Sequence, residues 1–232
     1  MRIAPTLVLL AGPNGAGKTT FINGFLRERA EAFQFVNPDE VARSLPHGPG
    51  RDLAAGRLVL EQLEELTAAR ADVVLETTLA TRTHARRIRD WKAAGYRFEL
   101  VYLHLPSVEA SIARVAHRVA RGGHGIPEEA LRRRYPLSLD YFETVYKPLA
   151  DSGQVYASGG ETPRTARLGT AMNKPLFDHE TTLKALRRAA ETAKHGTREE
   201  QSGKFLPPPG WKGRLVTGAS APKPAEPRRK RA

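Results

Sequence analysis

No cysteine occurs among the 232 residues. That excludes a disulfide framework and any thiolate metal site, and it fits a reducing, cytoplasmic setting. Long apolar runs are missing as well: none approaches the roughly 20 residues that a membrane span needs. The first apolar stretch is short, follows a single Arg and runs straight into glycines, so it reads as a strand and not a signal peptide, and no membrane partner is expected. The seven histidines show no ligand-like spacing, which argues against a histidine metal centre. No internal repeat is visible. Negative charge is scarce at one end only. Residues 1–160 carry 21 Lys+Arg against 18 Asp+Glu, whereas residues 161–232 carry 16 against 7, so most of the net +12 lies in the last third. The front part is nearly balanced, which suits cationic groups placed for anionic substrates better than a nucleic-acid coat.

What is present is a glycine loop. Gly12, Pro13, Asn14, Gly15, Ala16, Gly17, Lys18, Thr19 and Thr20 read GPNGAGKTT and fit the pattern G-x-x-x-x-G-K-[ST]. A chain that wraps a triphosphate must aim several backbone N–H groups inward, and glycines permit that curl. Lys18 can reach the β- and γ-phosphates of ATP, and the Thr19 hydroxyl can ligate Mg²⁺. Before the loop, Thr6 to Ala11 reads as a buried parallel strand. After it, Lys18 to Phe33 has helical spacing at Phe21, Ile22, Phe25 and Leu26, so a helix N-terminus would lie under the phosphates.

Strand and helix patterns alternate from residue 6 to about 157, which predicts an α/β fold with a mostly parallel sheet and helices on both faces. The pattern places a short strand at Gln34 to Asn37, a short helix at Asp39 to Leu45 and a long helix at Asp52 to Ala71, with Leu53 among its apolar positions. A strand at Asp72 to Thr77 follows, then a helix at Thr83 to Ala94 stopped by Gly95, and a strand at Phe98 to Leu105. Ser107 is placed to cap the next helix, and Pro127 opens another after a glycine-rich loop, Arg121 to Pro127. Val155 to Ala157 reads as the last strand. Residues 1–160 are thus expected to form one domain. Residues 161–232 hold eight of the 17 prolines and end in Pro227-Arg228-Arg229-Lys230-Arg231. They read as a basic, Pro-rich, disordered extension that buries little apolar surface, with one possible helix over 178–194.

Phosphoryl transfer requires a metal, a group that orients or deprotonates the acceptor, positive charge over the moving phosphoryl and a loop that excludes water. Asp39 follows the second strand and would lie in the crevice at the strand ends, where it can serve as base for a substrate hydroxyl or cap its own helix. Glu76 ends the Val73–Leu75 strand and suits a metal-water ligand, a substrate hydroxyl partner or a solvated strand end. Thr77 and Thr78 are adjacent hydroxyl donors. Arg118, Arg121, Arg132, Arg133 and Arg134 flank the Gly122-Gly123-His124-Gly125 loop, as on a lid that closes over phosphates, or on a solvated helix face. His124 is expected to make a lid contact.

With GPNGAGKTT, NPDE, VVLETTLAT, GYRFELVYLHL and RVAHRVARGGHGIPEEALRRRY in this order, residues 4–157 resemble the zeta-toxin family of P-loop kinases, and most of all its small bacterial members. The resemblance implies a fold similar to small-molecule kinases and ATP-Mg²⁺-dependent phosphorylation of the 3′-hydroxyl of the amino sugar in UDP-N-acetylglucosamine. It implies that Lys18 holds phosphates, Thr19 the metal, and Asp39 acts as base. Glu76 and Thr78 would bind the sugar, and Arg121 and Arg134 would face the transferred phosphoryl, with Arg118 and Arg133 as competitors. An antitoxin protein would be the implied partner. The sequence departs from the larger members at Ala80, where they carry Arg. Arg82, two positions on, is expected to contact the substrate in its place. A different acceptor, such as a nucleoside, another small metabolite or a polynucleotide end, stays open, as does nucleic-acid binding by the basic tail. An ATP-driven switch of the cassette type is disfavoured, because neither an LSGGQ-like signature nor an Asp-Glu pair ending a long apolar strand is present.

Overall fold

The computed structural model describes residues 4–28, 33–157, 165–168, 179–207 and 211–216. Strand β1 (Thr6–Ala11) lies at the centre of a seven-stranded sheet. It leads through the glycine loop into α1 (Lys18–Glu28). Next come β2 (Gln34–Val36), α2 (Pro38–Arg43), α3 (Arg51–Ala68), β3 (Val73–Thr77), α4 (Thr83–Ala93) and β4 (Arg97–His104). Helices α5 (Val108–Ala120) and α6 (Glu128–Tyr141) flank the glycine-rich loop, and two short irregular turns, Phe142–Tyr146 and Lys147–Leu149, lead to β5 (Ser152–Ala157). Beyond these lie β6 (Thr165–Leu168), α7 (His179–His195), α8 (Arg198–Gln201) and β7 (Arg214–Val216). The spatial order is β6-β5-β4-β1-β3-β2-β7. All neighbours are parallel except β5 and β6. The expected mostly parallel sheet with helices on both faces is therefore present.

Period-two alternation divides β1 between two cores. Leu7, Leu9 and Ala11 face one cluster, with Val59, Leu63 and Leu66 of α3 and Ile88 and Trp91 of α4. Val8 and Leu10 face the other, with Phe21, Ile22, Phe25 and Leu26 of α1. Each fully buried Phe or Leu contributes roughly 1.5–3 kcal/mol, so both faces anchor the loop between β1 and α1. The buried stripe of α3 runs through Ala55, Val59, Gln62, Leu63 and Leu66. Leu53, expected on that stripe, is exposed instead. Gly95 ends α4 at φ 84°, and Ser107 Oγ caps α5 by accepting from Ala110 N at 3.2 Å, both as expected.

Two expectations are corrected. Val155 to Ala157 is not the last strand: β5 starts at Ser152, and β6 and β7 follow it. The start was hidden because Ser152 and Gly153 have poor strand propensity. A Cβ at Gly153 would stand 2.2 Å from Leu100 O, so close pairing with β4 demands glycine there. The stretch past residue 160 also buries more than its composition indicates. Ala185 of α7 is fully buried against α1, and Phe205 and Val216 are buried as well. Phe205 packs on Phe35 at 4.8 Å between ring centroids and on Trp211 at 5.1 Å. Strand β7 then adds to the β2 edge. The part of the tail beyond residue 216 lies outside the described residues.

Candidate active site

The crevice forms where the carboxyl ends of β1, β3 and β2 meet, the general ligand position of an open parallel sheet. Gly12 (φ 142°) and Gly15 (φ 77°) let the loop pass against β4 and α5: a Cβ at Gly12 would stand 2.3 Å from Leu103 O, and one at Gly15 3.0 Å from Ser111 O. Helix α5 fixes the loop from outside. Ser111 Oγ donates to Asn14 O at 2.7 Å, and Arg114 Nη1 to Gly15 O at 3.4 Å. Ser111 and Arg114 carry no local sequence signal for this role, since only the tertiary fold brings them here.

Lys18 Nζ donates to Gly12 O (2.8 Å) and Pro13 O (3.1 Å) and lies 3.9 Å from Glu76 Oε1. Thr19 Oγ1 donates to Glu76 Oε2 at 2.9 Å, and Asn37 Nδ2 donates to the same oxygen at 3.2 Å. Burial pushes the Glu76 carboxyl up, and the Lys18 charge opposes that. Burial likewise lowers Lys18, against the pull of Glu76 and Asp39. For both groups burial is the larger effect, and each one's charge offsets part of the other's shift. Glu76 is not the solvated strand end that its sequence position also allowed.

Asp39 is not a helix cap. Asn37 is: its Oδ1 accepts from Asp39 N (2.9 Å) and Glu40 N (3.4 Å) at the start of α2. The sequence signal for this was Asn immediately before Pro at the first helical position. The Asp39 carboxylate is left for the crevice, where Oδ2 lies 3.2 Å from His124 Nε2. Burial would raise its pKa. The hydrogen bond and charge of His124, with Lys18 and Arg118 behind, outweigh that and hold it down to about 2. His124 makes the expected lid contact, and the contact is with Asp39.

The guanidinium beside these carboxylates is that of Arg118. Its Nε donates to His124 O at 3.1 Å, its Nη2 lies 3.3 Å from His124 Nε2, and its charge acts on both Asp39 and Glu76. Arg121 follows α5 as its C-terminal cap residue, and Arg134 lies in α6. Among the described residues, neither side chain forms a hydrogen bond or ion pair with the cluster, and Arg133 is exposed. Thr78 Oγ1 accepts from Ala80 N at 3.5 Å, within a turn where Leu79 takes a left-handed φ of 56°. That conformation costs a non-glycine residue about 1–2 kcal/mol, and it turns the chain sharply after Glu76. Arg82 stacks on Tyr141, with 4.9 Å from guanidinium to ring centroid.

The family model for zeta toxins matches residues 1–162. The chain belongs to the zeta toxin family. It is accordingly a kinase-type phosphotransferase. An uncharacterized protein of Haemophilus influenzae is 28% identical over 130 residues, which cover 55% of this chain and 91% of that protein. A solved structure from the PezAT chromosomal toxin-antitoxin system of Streptococcus pneumoniae superposes with a TM-score of 0.52 at 17% identity, covering 87% of each chain. A chain of the Pnkp1/Rnl/Hen1 RNA repair complex superposes with a TM-score of 0.51 at 21% identity over 62% of this chain. This zeta toxin family member spans only 47% of that structure's length. At these identities the two structures establish the fold alone. Among the described residues no helix is long and apolar enough to cross a membrane.

Proposed function

We propose that this protein transfers the γ-phosphoryl group of ATP to a hydroxyl of a nucleotide sugar, with the 3′-hydroxyl of UDP-N-acetylglucosamine as the first candidate. The observation that carries this reading is Asp39: an ionised carboxylate in the first turn of α2, just past β2, in the field of Lys18 and held by a lid histidine. Lys18 and the loop N–H groups between Asn14 and Thr20 bind the phosphates, with the N-terminus of α1 beneath them. Two hard oxygen donors, Thr19 Oγ1 and Glu76 Oε2, lie 2.9 Å apart and fit Mg²⁺. Among the described residues no group of three or more His, Asp or Glu is placed to hold a metal, so the ion would keep water and phosphate oxygens. When bound, it supplies charge neutralisation across the β- and γ-phosphates.

The acceptor oxygen attacks the γ-phosphorus, the bond to the β-phosphate bridging oxygen breaks, ADP leaves, and the hydroxyl proton passes to Asp39. A carboxylate with a pKa of about 2 is a weak base. It accepts the proton late, once the new P–O bond has acidified the hydroxyl, which suits a loose transition state. Until then Asp39 orients the acceptor. Arg118, with Arg121 and Arg134 on the closing lid, offsets charge on the moving phosphoryl. Glu76, Thr78 and Arg82 contact the sugar nucleotide. An antitoxin protein belongs to this reading, supported by the likeness to a toxin-antitoxin structure.

The basic last third, 16 Lys+Arg against 7 Asp+Glu over residues 161–232, favours one second reading, a polynucleotide end as acceptor. A panel assay with γ-labelled ATP separates the two. Purified protein is given UDP-N-acetylglucosamine, other UDP-sugars, nucleosides and 5′-hydroxyl RNA. Label on UDP-N-acetylglucosamine is expected, and label on RNA ends with none on any UDP-sugar would refute the first reading.

A further inference from the structure

The family match ends at residue 162, yet the chain returns to the site at residues 198–206. Helix α7 lies along α1 so closely that a Cβ at Gly24 would stand 2.9 Å from Ala185 O. The turn after α8 is then tied to α1 from both sides of one residue. Asn23 Nδ2 donates to Lys204 O at 2.9 Å, and Asn23 Oδ1 accepts from Leu206 N at 3.0 Å. Phe205, between those two bonds, is buried against Phe35.

This anchoring puts the Ser202–Gly203 backbone against the lid. A Cβ on Gly123 would stand 2.3 Å from Ser202 O and 2.5 Å from Arg118 Cγ. A Cβ on Gly203, whose φ is 76°, would stand 3.1 Å from Arg118 Cδ. The aliphatic stem of Arg118 is thereby packed between the lid glycine and the extension. Its guanidinium is left to hold His124 at the carbonyl oxygen, while the His124 ring meets Asp39. The lid turn is closed at the same place, since Gly122 N donates to Val119 O at 2.9 Å and Gly123 N to Arg118 O at 3.0 Å.

We infer that residues 179–206 are a brace for the lid, and that Gly203 is a positioning residue for phosphoryl transfer that acts through Arg118. The matched domain alone would leave that side of Arg118 open. With the brace, the arginine is oriented before substrate arrives, so that less ordering is left for the transition state. The inference rests on the kinase reading for its rate consequence and not for the contact itself.

The test is Gly203→Ala in the full-length protein, with the exposed Lys204→Gln as control, because among the described residues that side chain pairs only with Glu199 at the surface. Amide hydrogen exchange at Gly122 and Gly123 reads the brace without any acceptor, and Gly203→Ala is expected to speed it about tenfold. With γ-labelled ATP and UDP-N-acetylglucosamine, kcat is expected to fall about tenfold while KM for ATP changes less than twofold. The fall should vanish in an Arg118→Ala background, as coupled residues are non-additive. Unchanged exchange at the lid, or an equal loss of kcat with and without Arg118, overturns the inference. A wild-type protein that labels no UDP-sugar would instead sink the acceptor assignment, and the exchange result would still decide the brace.

Discussion

Asn37 offers the sharpest test of how the site is built, because one buried amide serves two masters. Its Oδ1 caps α2, and its Nδ2 supplies one of the two side-chain hydrogen bonds shown for Glu76 Oε2. Asn37→Ala removes both. Loss of the cap costs about 1 kcal/mol, and loss of a donor to a buried carboxylate costs about 1.5–3 kcal/mol. The sum, about 3 kcal/mol, corresponds to a fall in Tm of roughly 6–12 °C for a chain of this size. Asn37→Asp keeps the cap and replaces the donor by a second carboxylate beside Glu76. Like charges raise both pKa values in the folded state, above their unfolded values. The penalty is therefore full at high pH and is relieved as pH falls through those raised values. Urea unfolding at pH 8 and pH 5.5 reads the difference. Asn37→Asp should be at least as unstable as Asn37→Ala at pH 8 and recover part of its stability at pH 5.5, whereas Asn37→Ala should show no such recovery. An Asn37→Asp protein as stable as wild type at pH 8 would refute the claim that this amide supports a charged Glu76.

Two further outcomes follow from contacts in the same crevice. Gly12→Ala meets Leu103 O and a φ of 142°, so it should cost about 3 kcal/mol or more. Gly17→Ala meets nothing within 4 Å and should cost only the about 1–2 kcal/mol of its left-handed φ; thermal melts that reverse this order contradict the loop geometry. His124→Gln removes the charge that holds Asp39 down, so a carbon-13 titration should move its carboxyl from about 2 toward the ordinary range. Because the folded value lies below the ordinary 3.8, the wild-type carboxylate stabilises the fold fully above about pH 4 and loses that contribution as pH falls toward 2. The half-exposed side chain reduces this to about 1 kcal/mol, and the difference in acid stability between wild type and His124→Gln should be of that size.

Residues 6–157 are legible because their signals are local. Glycine spacing, apolar runs and the Ser107 cap each declare themselves within a few residues, and together they fix a parallel sheet with the loop at its centre. The rest depends on contacts far apart in the chain. Ala185, Phe205 and Val216 are scattered through a stretch whose average composition is polar and Pro-rich, and their burial exists only because α1 and the β2 edge offer apolar faces to receive them. At the site, Asp39 and Glu76 were identified from their places at strand ends. Asn37 was readable as a cap but not as a partner of Glu76. The nearness of Arg118 to both carboxylates is a long-range contact, and no spacing rule distinguishes it from Arg121 or Arg134.

The most direct test of the role of Asp39 is single-turnover transfer from γ-labelled ATP to UDP-N-acetylglucosamine, with wild type and Asp39→Asn compared at saturating nucleotide. Wild type is expected to label the sugar nucleotide, and Asp39→Asn to transfer at least a hundredfold more slowly at nearly unchanged ATP affinity. Equal transfer rates in the two proteins would contradict that role, since the acceptor would then react without the carboxylate that His124 holds beside Lys18.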